Sequence, residues 1–166
     1  SFFANIKVKF DNDLECNFPS KIRISGDHKD HLSWDGKTVP KFISSLDVKL
    51  QAGNINSVTR FKLFIPHTKG GENEVISTAL LRELGFLAPI TYQVPAIFNG
   101  SETTFLFQEK IAKEFLELNN LREAPILEGD ERFLFAESKY SVERLDFFDR
   151  FGLARVINNR WSEKGN

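Results

Sequence analysis

The sequence contains no methionine, not even at its start, and only one cysteine, Cys16. A single cysteine rules out an intramolecular disulfide and a thiolate metal cluster. No segment approaches the roughly 20 consecutive apolar residues that a membrane-crossing helix needs, and no charged-then-apolar signal segment opens the chain. An excess of either charge is missing too: 22 basic residues face 23 acidic ones, for a formal net charge of −1. No global field therefore draws the chain to nucleic acid or anionic lipid, and any binding rests on local sites. Gly-x-Ser-x-Gly, His-Glu-x-x-His and Walker motifs are all absent, so hydrolase readings have no support. The missing initiator methionine suggests an excised or processed piece of a longer protein.

What is present is an ordinary globular composition in 166 residues, 41% hydrophobic and 27% charged, with phenylalanine used 17 times. That suits one well-buried core, or one domain with a helical appendage. The first half alternates apolar and polar residues at strand spacing. Ile6 to Phe10 reads as a strand, Asp11-Asn12-Asp13 as a turn, and Leu14 to Phe18 as a second strand. Lys21 to Ser25 reads as a third, ending at Gly26-Asp27. A polar loop from His28 to Pro40 precedes strands over Leu46 to Leu50 and Phe61 to Ile65, joined by a turn at Gly53-Asn54.

A helix is predicted from Asn73, as N-cap, to Leu84, with Gly85 ending it. Thr91 to Phe98 and Thr104 to Phe107 then form a hairpin around Asn99-Gly100, because that dipeptide suits the two positive φ angles of a type I′ turn. Pro95 places the first of these strands at an edge or a bulge. From Ala112 the pattern turns mainly helical: a short helix over Lys113 to Asn120, a connector from Arg122 to Phe135, and one or two helices over Ser141 to Trp161. The expected architecture is α+β, with an antiparallel meander sheet and one packed helix over 1–111, and a mainly helical segment over 112–166.

The segment from Glu74 through Gly85-Phe-Leu-Ala-Pro89, the turn at Asn99-Gly100 and the strand Phe105-Leu-Phe-Gln-Glu109 resembles the CotH-like (spore coat protein H type) atypical protein kinases. Upstream, Lys21-Ile-Arg-Ile-Ser-Gly26 is similar to that family's strand ending in an Arg-Gly-Asn-Ser-like turn, with Ser25 replacing the usual Arg. Ser45-Leu-Asp-Val-Lys49-Leu is similar to its lysine-bearing strand. A closer likeness is to uncharacterised CotH-like proteins of marine bacteria, which share the strings at 107–110 and 128–133.

The resemblance implies a kinase-like nucleotide-binding lobe, with ATP and Mg²⁺ as cofactors of the intact parent and a protein as phosphoryl acceptor. It makes Lys49 the phosphate-contacting lysine, with Lys62 on the neighbouring strand as competitor. Both also fit as solvent-facing members of alternating strands. By family position Glu74 is the anion that holds the lysine. On a helical wheel Ile76, Ala79, Leu80 and Leu84 form the apolar arc, Glu83 falls inside it and Glu74 lies at its margin, so Glu83 is the second choice. Glu109 stands where a kinase hinge meets adenine, its side chain either binding ribose or pairing with Lys110 or Lys113.

Three other features read as structure before chemistry. Lys69-Gly70-Gly71 offers backbone amides to a phosphate but suits a flexible turn better. Asp27-His28-Lys29-Asp30-His31 reads as a solvated loop, and Glu128-Gly129-Asp130-Glu131 as an acidic surface turn, so no metal ligands are assigned. No Gly-rich loop joins the first strands. Asp146 and Asp149 sit among Phe147, Phe148 and Phe151, which read as packing residues, so no catalytic base is assigned. This chain alone is not expected to transfer phosphate. The alternative reading is a non-catalytic module of kinase-like shape that binds a coat or surface protein.

Overall fold

The computed structural model describes residues 1–25, 32–34, 42–128 and 154–158. The chain divides into two compact units, Ser1–Lys110 and Ile111–Asn166.

In the first unit, β1 (Phe2–Lys9), β2 (Glu15–Ile24), β5 (Leu46–Leu50), β6 (Arg60–Phe64), β7 (Thr91–Phe98) and β8 (Ser101–Glu109) make one curled antiparallel sheet in the order β1-β2-β5-β6-β8-β7. A separate two-stranded ribbon pairs β3 (Leu32–Trp34) with β4 (Phe42–Ser44), so the expected loop from His28 to Pro40 contains a strand. A 3₁₀ turn over Pro66–Lys69 leads into α1 (Glu72–Glu83). Thus the unit is α+β.

β2 corrects the sequence reading in a second way. The two short strands expected around Pro19 are one ten-residue strand. Proline lacks an N–H and belongs where no ladder donor is required. Pro19 stands opposite Asn5 of β1, one residue before the pairing with β5 begins at Ser20 and Leu50, and its carbonyl accepts the Gln51 amide at 2.8 Å. The strand therefore continues through it.

One face of the sheet carries the core. Phe18 and Ile22 of β2, Leu46, Val48 and Leu50 of β5, Phe61 of β6 and Phe107 of β8 are buried there, with Ile55 and Val58 of the β5–β6 loop. Tyr92 stacks on Phe107 and Phe107 on Phe61, with ring centroids 4.7 and 4.6 Å apart. Ile43, Ile65 and Phe105 extend this apolar layer.

α1 starts at Glu72 rather than Asn73. Its N-cap is Gly71, with φ 57°, and no side chain caps it. The exit matches the sequence signal: Gly85 (φ 80°) donates to the Arg82 carbonyl and the Phe86 amide to the Leu81 carbonyl, the paired bonds of a Schellman end. The orientation of the helix is the surprise. Glu74, Val75 and Thr78 are its less exposed positions, whereas the apolar arc of Ile76, Ala79, Leu80 and Leu84 is exposed.

In the second unit α2 (Lys113–Leu118) buries Phe115 and Leu116. β9 (Leu127–Glu128) pairs with β10 (Arg155–Val156). Residues 155–156 are thus extended, not helical as expected. β-Branched Val156 and Ile157 favour an extended chain, and the Asn158 side chain fixes the pairing by accepting the Ile126 amide and donating to the Ala124 carbonyl. The expected turn at Gly26-Asp27, the Asp27 to His31 cluster, the turn beyond Glu128, and Asp146 and Asp149 lie outside the described residues.

Candidate functional site

Side chains directly opposite each other in an antiparallel pair share a face. On the face opposite the core, the register lines up Arg23 of β2, Asp47 of β5, Lys62 of β6, Gln108 of β8 and Thr91 of β7 in one row across five strands. The row beside it contains Lys21, Lys49 and Arg60. Alternation in the sequence thus becomes a polar, cation-rich surface.

Asp47 is the anchor of the first row. It is buried, and its Oδ2 accepts from Lys110 Nζ at 2.8 Å and from Arg23 Nη2 at 3.0 Å. Burial alone would raise its pKa, but the hydrogen bonds and charges of Lys110 and Arg23 together outweigh burial and hold the carboxyl below its ordinary value. It is committed to those cations as an anion.

At the other end of the row, α1 delivers Glu74. Its Oε1 accepts from Gln108 Nε2 at 2.7 Å, and Gln108 stands directly opposite Lys62. Thr78 ties its hydroxyl back to the Glu74 carbonyl at 2.8 Å, one turn earlier. The Lys62 ammonium also lies over the Phe64 ring, 5.4 Å from its centroid, and the Lys69 ammonium lies 5.2 Å from the same centroid.

Lys49 and Glu74 therefore address the same face of the sheet, but in different rows. Lys49 is exposed and stands between Lys21 and Arg60. Lys62 is opposite both Asp47 and Gln108, the residue that holds Glu74. Glu83 lies on the exposed side of α1 with the apolar arc. Glu109 is buried on the core face, and its Oε2 accepts the Ile90 amide at 3.2 Å while its own amide donates to the Ile90 carbonyl at 2.9 Å. Burial raises its pKa against the opposing effects of that hydrogen bond and the Arg82 charge. The lysines considered for it pair elsewhere, Lys110 with Asp47 and Lys113 with Glu117.

The amides of Gly70 and Gly71 both donate to the Pro66 carbonyl, so this loop is a hydrogen-bonded turn. Asp47 and Gln108 are the residues that sequence reasoning missed. Their charge and amide are visible in the sequence, but their alignment through Lys62 across β5, β6 and β8 appears only with the register. No family model matches the chain, and no curated protein matches it.

Proposed function

We propose that residues 1–110 form a nucleotide-phosphate-binding lobe of the kind the CotH-like resemblance implies, serving ATP-dependent phosphoryl transfer to protein in the intact parent. The observation that carries the reading is the polar row itself. A helix glutamate, Glu74, is held through Gln108 beside a strand lysine, Lys62, on the strand that leads into that helix. Kinase lobes place a lysine at the nucleotide phosphates and a helix glutamate beside it, because transfer depends on positioning and charge neutralisation.

In this reading Lys62 is the phosphate contact. Glu74 and Gln108 position it from one side, and Asp47 sets the charge on the other. Lys49, the lysine favoured by the family resemblance, supplies a second cation one row away. Glu109 positions the start of β7 through Ile90 and does not touch ribose. Bound Mg²⁺ would shield the phosphate charge. Among the described residues no three metal-ligating side chains cluster, and Asp47, the one carboxylate of the row, is already committed to cations, so this row is not a Mg²⁺ ligand set.

Calorimetric titration of the chain with ADP and with ATP, each with Mg²⁺, tests the reading. Binding weakened about tenfold or more by Lys62→Ala, equivalent to about 1.4 kcal/mol, and less by Lys49→Ala, is the expected result. Absence of binding, or binding indifferent to both lysines, overturns it.

A further inference from the structure

The side of α1 that faces away from the sheet presents Ile76, Leu80 and Leu84 at 63, 56 and 64% exposure, with Leu81 beside them at 41%. Phe86 and Leu87, immediately after the Gly85 exit, continue it at 62 and 55%. Isolated exposed leucines need no explanation, but a contiguous stripe of six large apolar side chains marks an interaction surface. The helix is amphipathic in sequence, yet the sheet takes its polar side through Glu74 and Thr78. Among the described residues the apolar side stays exposed.

The spacing specifies the shape of that partner. Positions 76, 80 and 84 form an i, i+4, i+8 ridge, which packs into the matching groove of another helix. Charge specifies its chemistry. Glu72 and Glu83 are exposed along one edge of the stripe, one turn before Ile76 and one turn after Leu80. Asn73 and Ser77, both neutral, fall within the span of the stripe; the flank beyond Leu81 carries Glu74, which the sheet takes through Gln108, and Arg82 lies round the helix from the stripe.

A second copy of α1 is a poor match. Antiparallel two-fold pairing brings like edges together and sets glutamate against glutamate, and parallel pairing sets each glutamate against the Leu81 flank, which offers it no cation. We propose that α1 is a docking surface for an amphipathic helix of a partner polypeptide, one whose apolar stripe is bordered by lysine or arginine. This goes beyond nucleotide binding, which uses the opposite side of the same helix.

The test uses two fluorescein-labelled synthetic peptides of about 15 residues, identical in their i, i+4, i+8 leucine stripe. One carries lysines and the other glutamates beside it, and binding to the full chain is followed by anisotropy. The lysine peptide is expected to bind more tightly than its twin by about fivefold, the scale of two exposed ion pairs. Leu80→Ser is expected to weaken it about tenfold, and the Glu72→Lys/Glu83→Lys pair to reverse the preference. Because all three positions are exposed, circular dichroism and the ADP titration should be unchanged, which separates this surface from the nucleotide site. Equal affinity for the two peptides, or a preference that survives the charge reversal, overturns the proposal. So does a dimer by sedimentation that Leu80→Ser disperses, which would assign the stripe to a second copy.

Discussion

The two faces of the six-stranded sheet are made by the same strands, residue by alternating residue, and are held together by different physics. The core face packs Val48, Phe61 and Phe107 with almost no exposure and stacks three rings from β6, β7 and β8. Its apolar contacts and their dehydration carry no titratable group of their own and are insensitive to pH. The opposite face carries a row of charges and amides joined across strands, with Asp47 between Arg23 and Lys110 and Gln108 between Lys62 and Glu74, beside buried Phe64 and Leu106. What the difference teaches is where function can reside. The packed face is filled by apolar side chains, whereas the polar face holds its groups in fixed positions while leaving Lys21, Arg23 and Lys49 exposed to solvent.

The sharpest contrast should come from Phe61→Ala on the core face. The ring is 1% exposed and touches the centre of the aromatic stack. Its loss should cost about 3–5 kcal/mol, from lost transfer energy and the cavity left behind. Urea unfolding should show this loss at every pH, and a cost that varied strongly with pH would break the division between the faces.

Asp47→Asn is the counterpart on the polar face. It removes the charge that Arg23 and Lys110 share, at an expected cost of about 2 kcal/mol near neutral pH, the scale of a hydrogen bond to a charged group. Here pH must matter. The folded-state pKa of Asp47 is lowered, so its stabilisation is present above the ordinary aspartate value and is lost as pH falls through the lower folded one. The gap between wild type and variant should therefore close in acid, and a gap constant down to the lowest pH would show that the carboxylate charge is not what holds the row.

Glu109→Gln probes a carboxyl set into the core face. Glutamine can still accept the Ile90 amide, while the buried charge disappears. Because the folded pKa of Glu109 is raised, its favourable contribution is present below the ordinary glutamate value and is lost as pH rises through the folded one. The variant should match wild type in acid and exceed it by about 1 kcal/mol above that range. Equal stability at neutral pH would mean that Arg82 compensates the carboxylate in full.

How much of this was readable beforehand follows the same divide. Strand alternation at Leu46 to Leu50, the Asn99-Gly100 turn (φ 52° and 77°) and the Gly85 helix exit are local signals, and each forms where its residues indicate. The fate of Pro19 was not local, because it depended on where β5 begins to pair. The face of α1 was misread for a related reason. A helical wheel reports that an apolar arc exists but not which surface takes it, and here the sheet takes Glu74 and Thr78. The candidate site was half visible, since Lys62 and Glu74 could be named from sequence. Their common neighbour Gln108 needed the register of β6 and β8.

The smallest expected effect lies at the β5–β6 hairpin, whose Ile55 and Val58 close the core face. Ile55 and Val58 exchange both backbone hydrogen bonds, at 3.0 and 2.9 Å, around Asn56 (φ 48°) and Ser57 (φ 70°). Two positive φ angles in a two-residue loop define a type I′ turn, for which Asn-Gly is the preferred pair. This hairpin carries Asn-Ser where the β7–β8 hairpin carries Asn-Gly. Serine in the left-handed region costs about 1 kcal/mol, and glycine returns part of that gain through its freer unfolded chain. Ser57→Gly keeps the amide that donates to Asn54 Oδ1 at 2.9 Å and should add about 0.5 kcal/mol. The mirror change, Gly100→Ser, should lower stability by a similar amount. If the two changes shift the urea midpoint in the same direction, turn strain is not what distinguishes the hairpins, and the hydrogen bond between Asn56 and Tyr92 becomes the feature that fixes the β5–β6 loop against the aromatic stack.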